Sequence, residues 1–267
     1  GYGSIPTTLA GWILGIPIFL HESDKVPGLA NRFLAKIALE VFISFPNTPH
    51  FPPKKIMLVG NPIRPGILTG DKKEAVEYFK ITREKPIILV LGGSQGAQRI
   101  NDQILLVLNE ILENFEVIHQ VGEKNFQQLS LEVRAIVKEK LKKYYHPFPF
   151  LNEKELALAY SISDLVIARA GAGIIFEIAA LGKPSILIPL PESAQNHQLQ
   201  NAYSFFEAGA TIVIEEKNFT PRFFLAQLKM LFSEKEKLKK MGMAAKNFSK
   251  PEAAKIIAHY IFEFLTK

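Results

Sequence analysis

The sequence repeats one local unit, a short apolar strand that leads into a glycine-containing turn and then a helix. Residues 86–91 read Pro-Ile-Ile-Leu-Val-Leu and precede the turn Gly-Gly-Ser-Gln-Gly-Ala. Residues 164–168, which are apolar after Asp164, precede Gly171 and Gly173. Runs this short and this apolar are typical of strands that are buried on both faces. Strand, helix and strand in succession predict an α/β fold with a parallel sheet.

The glycine turns also predict an anion site. The first N–H groups of a helix have no partners inside the helix and attract phosphate. Ser94 would add a hydroxyl donor at the first turn, although glycines needed only for packing are the alternative. Glu177 lies just beyond the first turn of the second helix, where a carboxylate can bind a sugar diol. Its alternative role is to complement the helix dipole.

Composition limits the classes of function without choosing among them. The 32 Lys and Arg against 26 Asp and Glu give a net charge of +6, which fits nucleotide phosphates, nucleic acid or an anionic membrane equally well. The absence of cysteine excludes a disulfide framework, and the six His residues show no metal-ligand spacing. We therefore predict no bound metal or cofactor and a reducing, cytoplasmic setting.

Two stretches resemble a membrane span and a nucleic-acid-binding patch, but we interpret each of them differently. Residues 4–20 are uncharged, but prolines and glycines interrupt them, so we predict a helix, a turn and a strand instead of a membrane span. The Lys and Glu run at 138–143 is predicted to be a solvated helix face, and no nucleic-acid partner is expected.

The apolar spacing from Ile100 to Leu112, after the first glycine turn, predicts one long helix.

Polar residues follow several of the predicted strands. His21 and Glu22 end the first strand, and His197 with Gln198 comes after the strand that ends near Pro189. Open α/β sheets bind ligands across such strand ends, so we predict a nucleotide-sugar there. Arg64 lies in a rigid proline turn near a predicted domain boundary and would either bridge the domains or lie on a solvated loop. Neither glycine turn has the spacing of a dinucleotide or triphosphate loop, which disfavours an oxidoreductase.

Five stretches together resemble one family. They are His21-Glu22 with Val26-Pro27-Gly28-Leu29, Gly60-Asn61-Pro62-Ile63-Arg64, Gly92-Gly93-Ser94-Gln95-Gly96-Ala97, Arg169-Ala170-Gly171-Ala172 with Glu177, and His197-Gln198 with Asn201-Ala202. In this order they resemble the MurG family, inverting glycosyltransferases of peptidoglycan synthesis. The family transfers GlcNAc from UDP-GlcNAc to the MurNAc 4-hydroxyl of undecaprenyl-pyrophosphoryl-MurNAc-pentapeptide, called lipid I, and makes lipid II.

The resemblance implies a GT-B type fold, with two Rossmann-like domains facing across a cleft. We expect an incomplete first domain at residues 1–59, the UDP-GlcNAc-binding domain at 60–250, and a terminal helix at 251–267 that packs back on the first domain. It also implies a peripheral location on the cytoplasmic face of the bacterial cell membrane. Trp12 would then face an anionic membrane surface, with a place in the core as the alternative.

The resemblance further assigns site residues. Predicted UDP-GlcNAc contacts are Asp24, Arg64, Ser94, Leu151, Ala172, Gly173, Ile174, Glu177 and Gln198, supported by Gly93, Gly96, Arg169, Gly171 and His197. Among these, Ser94 and Arg64 would contact the diphosphate or neighbouring groups, Glu177 the ribose, and Gln198 the GlcNAc. Asp24 stands where the family usually has Asn, and Ile174 where it often has Thr.

The acceptor side is less complete. The family's Gly-Gly-Thr-Gly-Gly-His loop would lie upstream of Gly1, and we expect the main catalytic base there. His21 and Glu22 remain as catalytic candidates in this chain. We expect residues 1–267 alone to bind UDP-GlcNAc weakly and to be inactive. Alternatives are a lipid glycosyltransferase with a diacylglycerol acceptor and a nucleotide-sugar-binding module without catalysis.

Overall fold

The computed structural model describes residues 3–92 and 96–266, which form two parallel sheets. The first sheet has three strands in the order β1-β2-β3, each paired in parallel with the next. Its elements are α1 (Ser4–Ile13), β1 (Phe19–Glu22), α2 (Leu29–Leu34), β2 (Glu40–Ile43) and β3 (Ile56–Leu58). Leu20, Leu34, Val41 and Ile43 form the centre of its core.

The second sheet has six strands, all parallel, in the order β6-β5-β4-β7-β8-β9. They are β4 (Ile87–Leu91), β5 (Glu116–Gln120), β6 (Tyr145–Phe148), β7 (Leu165–Ala168), β8 (Ser185–Leu187) and β9 (Thr211–Val213). The chain runs outward from β4 to β6 and then returns, so that β7 pairs with β4. The order of the strands therefore reverses between β4 and β7, the position where open α/β sheets bind ligands.

Helices cover both faces of this second sheet. They are α3 (Lys72–Phe79), α4 (Gln98–Leu106), α5 (Leu108–Asn114), α6 (Glu123–Ile136), α7 (Glu153–Ile162), α8 (Ala172–Leu181), α9 (His197–Glu207), α10 (Pro221–Ser233) and α11 (Lys235–Phe248), whereas the terminal helix α12 (Ala253–Leu265) lies against the first sheet. Along β4, Ile88 and Val90 pack into one apolar cluster and Ile87 and Leu89 into another. Burial on both faces explains why the strand sequence is continuously apolar.

The single long helix predicted after the first glycine turn is wrong, because the structure divides it at Val107 into α4 and α5. Val107 has φ −123° and ψ 17°, outside the helical region. Ile104, Leu108 and Ile111 are nevertheless all buried in the same cluster. Apolar spacing therefore continues across the break, and periodicity alone could not reveal it. The charged residues of the run at 138–143 are solvated as predicted, but the run lies in the 3-10 helix Glu139–Tyr144, with Lys138 at its N-cap, and not in an α-helix.

Aromatic contacts join the two sheets. Phe45, just after β2, is fully buried among residues of the second sheet's core and lies 5.2 Å, between ring centroids, from Phe176 of α8. At the other end of the chain, Tyr260 of α12 donates a hydrogen bond of 3.0 Å to Glu40 and packs edge-on against Phe42. The first sheet thus contacts both α8 and the terminal helix.

The first helix presents an apolar surface to solvent. Trp12 is 56% exposed, Leu14 is 73% exposed, and α1 contains no buried residue. The alternative of a core position for Trp12 is therefore wrong. Among residues 3–92 and 96–266, no helix combines the length and apolar character needed to cross a membrane.

One histidine of the second sheet is completely buried. His119 of β5 lies between the hydroxyl of Tyr145, 2.9 Å from Nδ1, and the Oδ1 of Asn101, 3.1 Å from Nε2. Burial lowers the pKa of His119 from its ordinary value of 6.5 to about 3. The folded protein therefore keeps this imidazole neutral at every pH near neutrality.

We expect this histidine to make stability depend on pH. Between pH 6.5 and 3 the unfolded chain binds a proton that folded His119 does not, so the free energy of unfolding falls by about 1.4 kcal/mol per pH unit as pH decreases. Urea unfolding from pH 7 to pH 4.5 should show a shallower decline in His119→Gln than in the wild type. His259→Gln, at an exposed position on α12, is the control and should keep the wild-type slope. Equal slopes in all three proteins would contradict this prediction.

Candidate functional site

The carboxyl ends of β4 and β7 lie side by side, with Leu91 paired to Ala168. The first glycine turn follows β4, and the segment that begins with Arg169 follows β7. Two of the predicted contacts in the first turn, Gly93 and Ser94, lie outside the described residues. The structure therefore brings the strand ends that precede both predicted turns to the crevice where the strand order reverses.

The second turn opens directly into α8. Gly171 caps the helix with φ −67° and ψ 142°, which any residue can adopt. A Cβ built on Gly171 or Gly173 would meet no other atom within 4 Å. Neither glycine is thus required by strain or by protein packing, and the two leave the start of the helix open. An uncovered helix start of this kind suits a phosphate or another polar ligand group.

Glu177 is buried in α8 and bound to Arg64. The Nε and Nη2 of Arg64 lie 2.9 Å and 2.8 Å from the same carboxylate oxygen, Oε1, and Tyr160 donates to Oε2 at 3.5 Å. Burial raises the pKa of the Glu177 carboxyl, and Arg64 opposes that rise. A buried carboxylate with a single cationic partner is a frequent feature of binding sites.

The same contact excludes one of the alternatives for Arg64. Its segment is fixed against α7, because the Gly66 N–H donates to Glu153 Oε1 at 3.0 Å and a Cβ on Gly66 would lie 2.2 Å from that oxygen. The Arg64 side chain stays 44% exposed while it binds Glu177. A solvated loop without a partner is therefore wrong for Arg64. Its exposed part is available to a ligand in the crevice.

The segment after β8 positions Gln198 and His197. Gln198 accepts a hydrogen bond from the Leu190 N–H at 3.0 Å, and the Nδ1 of His197 lies 2.7 Å from the Ala194 carbonyl oxygen. Gln195 and Asn196, just before α9, both have positive φ, 53° and 54°. Such conformations cost energy in residues other than glycine and are common in binding segments.

Arg169 fixes the ends of strands and is not exposed to a ligand. It is buried, forms an ion pair of 2.5 Å with Glu216 and donates to the carbonyl oxygens of Ile188 and Pro189, just after β8. Arg99, at the start of α4, binds the same Glu216 at 2.7 Å. Arg169 thereby connects the segments that follow β7, β8 and β9, and its supporting role toward UDP-GlcNAc stays a prediction.

Asp24 reaches the crevice from the first sheet. Its Oδ1 accepts a hydrogen bond of 2.8 Å from Asn201 of α9, and the Asn201 Oδ1 accepts one of 2.8 Å from the Lys25 N–H. Asn201 also donates to the carbonyl oxygen of Ala170 at 3.3 Å. No role was predicted for Asn201, although its position three residues after Gln198 places both side chains on one face of α9.

His21 and Glu22 are held by protein groups. The Glu22 carboxylate accepts from the N–H groups of Asp24 and Gly28, at 3.1 Å and 3.3 Å, and from the Asn31 amide at 2.9 Å. The Nε2 of His21 lies 3.2 Å from the Gly60 carbonyl oxygen. Because a general base needs a lone pair directed at its substrate, this geometry favours a structural role for Glu22.

The remaining predicted contacts lie in different surroundings. Ala172, Gly173 and Ile174 form the first turn of α8, at the open helix start. Leu151 is 1% exposed in the apolar core, and its N–H donates to the Gln120 amide oxygen at 3.2 Å. The Leu151 side chain therefore has almost no surface to offer, and its predicted contact with UDP-GlcNAc, which stays a prediction, would involve its backbone.

Other features lie away from the crevice. Within residues 3–92 and 96–266, no group of three or more His, Cys, Asp or Glu side chains could hold a metal ion. A cavity of about 730 Å³ is lined by Pro86, Asp164 and Pro184, which precede β4, β7 and β8. It therefore lies at the amino edge of the sheet, opposite the predicted site.

Two family models match this chain, and solved structures share its fold. The glycosyltransferase family 28 C-terminal domain matches residues 87–257, and the N-terminal domain of the same family matches residues 1–43. The crystal structure of Acinetobacter baumannii MurG superposes with a TM-score of 0.80 at 28% identity, covering 98% of this chain and 71% of that one. The UDP-GlcNAc 2-epimerase of Neisseria meningitidis, at 16% identity and a TM-score of 0.68, shares the fold.

Curated proteins from other bacteria are similar to this chain over nearly its whole length. A protein of Bacillus anthracis is 34% identical over 265 residues, 98% of this chain and 72% of its own length, and one of Thermodesulfovibrio yellowstonii is 38% identical over 266 residues, 96% and 69%. Each is named a UDP-N-acetylglucosamine--N-acetylmuramyl-(pentapeptide) pyrophosphoryl-undecaprenol N-acetylglucosamine transferase. With the reversal of strand order at β4 and β7 and the buried Glu177 beside it, these similarities show that the chain belongs to the MurG family of glycosyltransferases.

Proposed function

We propose that this chain is an inverting N-acetylglucosaminyltransferase that moves GlcNAc from UDP-GlcNAc to the MurNAc 4-hydroxyl of lipid I. The observation that carries the donor assignment is the buried Glu177 carboxylate just inside α8, whose start is open. Acidic residues bind ribose hydroxyls in nucleotide-binding Rossmann folds, and the family resemblance assigns this task to Glu177. The relatives' names supply the sugar and the acceptor.

The proposed chemistry assigns one task to each part of the site. Glu177 would hold the ribose, and Gln198, fixed by the Leu190 N–H, would hold the GlcNAc. As the acceptor hydroxyl loses its proton to a base and attacks the anomeric carbon, the bond from that carbon to the UDP oxygen breaks and negative charge develops on the departing UDP. The exposed part of Arg64 and the N-terminus of α8 would stabilise that charge, and the proposal includes no metal ion. Neither His21 nor Glu22 is assigned as the base.

Calorimetry with UDP-GlcNAc, UDP-GalNAc and UDP tests the donor assignment. We expect UDP and UDP-GlcNAc to bind. UDP-GalNAc should bind less tightly than UDP-GlcNAc, because one of its sugar hydroxyls has a different orientation and the Gln198 amide is fixed by the Leu190 N–H. Absence of binding by both UDP and UDP-GlcNAc would refute the donor assignment. Labelled UDP-GlcNAc offered with a lipid I analogue or with diacylglycerol tests the acceptor, and any detectable transfer would refute the expectation that residues 1–267 alone are inactive. Transfer to diacylglycerol would exclude lipid I as the preferred acceptor and favour the other lipid glycosyltransferase.

We further propose that the enzyme acts peripherally at an anionic membrane surface, because its acceptor carries a lipid tail. The exposed apolar residues of and beside α1 support this: Trp12, Ile13, Leu14 and Ile16 are each more than half exposed. The net charge of +6 adds attraction to anionic lipid headgroups. A helix with an apolar surface of this kind binds at the interface without crossing the bilayer.

Vesicle sedimentation tests the membrane surface. Because each apolar side chain that enters the bilayer contributes about 1.5–3 kcal/mol, Trp12→Glu and Leu14→Glu should each weaken binding to phosphatidylglycerol vesicles about tenfold or more. Phe223→Glu is the matched control, since Phe223 is 44% exposed on α10, in the other domain. Equal losses in all three variants, or none, would remove α1 from the proposed membrane contact.

A further inference from the structure

A buried chain of hydrogen bonds ends at the first glycine turn. The amide nitrogen of Asn101 lies 2.9 Å from the Gly96 carbonyl oxygen and 3.0 Å from the Val121 carbonyl oxygen. Both partners only accept, so this nitrogen donates to both. The Asn101 Oδ1 must then face the Nε2 of His119 at 3.1 Å. The orientation of the Asn101 amide is fixed by its partners.

The direction of the remaining bonds follows from that orientation. Since Asn101 Oδ1 accepts, Nε2 of His119 carries the proton, and the neutral ring leaves Nδ1 as an acceptor for the Tyr145 hydroxyl at 2.9 Å. Hydrogen bonds therefore run from Tyr145 to His119, from His119 to Asn101, and from Asn101 to Gly96. Because burial keeps His119 neutral, this direction does not change over the working range of pH.

A second amide holds the same carbonyl groups. The Nδ2 of Asn125, on α6, lies 3.1 Å from the Gly96 carbonyl oxygen and 3.0 Å from the Val121 carbonyl oxygen. The two backbones approach so closely that a Cβ on Gly122 would lie 2.4 Å from the Gly96 Cα. Gly96 and Gly122 both have positive φ, 80° and 91°. The end of the glycine turn is thus fixed against the turn that follows β5.

This arrangement has a cost that packing alone does not explain. Asn101 and His119 are completely buried and Tyr145 is 6% exposed, and burying polar groups is unfavourable unless every one is hydrogen-bonded. Three apolar side chains would fill the same space without that cost. What they could not do is bind the carbonyl oxygen of Gly96 and so fix the plane of the peptide that joins Gly96 to Ala97.

That peptide plane determines where an N–H group points. In a trans peptide the carbonyl oxygen and the following N–H point in opposite directions, and the structure contains no cis peptide among the described residues. With the Gly96 oxygen held toward Asn101 and Asn125, the Ala97 N–H points away from both. It lies at the start of α4, just after the β4 end of the crevice.

We propose that Tyr145, His119, Asn101 and Asn125 are positioning residues for the donor diphosphate. They hold the Gly96 carbonyl inside the protein, so that the backbone N–H groups at the start of α4 face the phosphates of the bound nucleotide. Because this role rests on the proposed function, it requires that the chain bind UDP. Only the phosphates should depend on it, since ribose is assigned to Glu177 on α8.

The test compares UDP with uridine, which lacks the phosphates. Asn101→Asp removes the two donated hydrogen bonds and keeps the size of the side chain. Its Kd for UDP should rise about tenfold or more, the loss expected for hydrogen bonds to a charged ligand, while its Kd for uridine should stay within about twofold of the wild type. Tyr145→Phe, at the far end of the chain, should change the UDP Kd in the same direction but less.

The matched control is a variant, Thr211→Val, that removes a buried hydrogen bond elsewhere in the protein. Thr211 of β9 pairs with Ser185 at 2.9 Å and is buried, so Thr211→Val should lower the melting temperature without changing either Kd. Equal weakening of UDP and uridine in Asn101→Asp, or no weakening in the folded variant, would overturn the proposal. If Asn101→Asp does not fold, Asn125→Asp provides the same comparison of UDP with uridine, because Asn125 on α6 is only half-buried. Failure of the wild type to bind UDP would instead refute the proposed function.

Discussion

Replacement of Glu177 by alanine is expected to abolish detectable UDP-GlcNAc binding in calorimetry. The Glu177 carboxylate would accept charge-assisted hydrogen bonds from two ribose hydroxyls. Each such bond contributes about 1.5–3 kcal/mol to the binding free energy. Loss of both corresponds to about 100-fold or more in Kd. Alanine also leaves Arg64 without its partner at 2.8 Å, which disturbs a second predicted contact of the nucleotide.

A graded series separates these two effects. Glu177→Gln keeps the shape of the side chain and one acceptor oxygen, so we expect weakened binding that remains measurable. Arg64→Met removes the cation and leaves the carboxylate, and should weaken UDP more than uridine because Arg64 is assigned to the diphosphate. Unchanged UDP-GlcNAc affinity in Glu177→Ala would remove the ribose role from this residue.

A second buried carboxylate provides the control for Glu177. Glu116 is completely buried at the amino end of β5, where it accepts from Thr82 and lies 2.8 Å from the Nε2 of His146. Glu116→Gln should lower the melting temperature through those contacts and leave the UDP-GlcNAc Kd unchanged, because the amino edge of the sheet is opposite the crevice. A similar loss of binding in both variants would indicate general destabilisation.

Phe45→Ala is expected to destabilise the protein by about 3–5 kcal/mol, as truncation of a buried phenylalanine does. That is a large part of the typical 5–15 kcal/mol stability of a domain. Phe45 is completely buried and lies 5.2 Å and 5.9 Å, between ring centroids, from Phe176 and Phe248. Since Phe176 precedes Glu177 on α8, we also expect weaker UDP binding.

Chemical denaturation with tryptophan fluorescence and circular dichroism measures this effect. Trp12 is the single tryptophan and lies in the first domain, so its fluorescence reports that domain while circular dichroism reports the whole chain. In Phe45→Ala the fluorescence transition should come at lower denaturant than the circular dichroism transition, because a contact between the domains is lost.

Two other phenylalanines test the interpretation. Phe224→Ala removes a ring that is equally buried but lies within the second domain, and should lower both transitions together. Phe150 is 49% exposed, and Phe150→Ala should change stability little. Coincident transitions in Phe45→Ala, at the wild-type midpoint, would contradict the assigned role of Phe45.

Much of the fold could be predicted because it depends on local patterns. The aliphatic run before the first glycine turn predicted β4, and burial of its alternate residues in two separate clusters explains why the run is uninterrupted. The turns before α4 and α8 were likewise evident from their glycines. The division at Val107 was missed because the apolar spacing that reveals a helix continues across the break.

The site was predictable in its residue types but not in their contacts. The open helix start and Glu177 lie within one short stretch of sequence, so their proximity is local. Arg64 binds Glu177 across 113 residues and Asn201 binds Asp24 across 177. No periodicity encodes such pairs. The chain that joins Tyr145, His119 and Asn101 also went unnoticed, because each residue alone resembles an ordinary member of a strand or helix.

By itself the sequence determined where strands, glycine turns and helices occur, since these follow from side-chain periodicity and backbone freedom within a few residues. It also determined, through five ordered motifs, the family to which the chain belongs. Only the tertiary structure decided that β7 pairs with β4, because strands that are apolar on both faces fit against several neighbours. That pairing brings together the strand ends that precede the two glycine turns. Long-range contacts then place Arg64 against Glu177 and Asn201 against the carbonyl oxygen of Ala170.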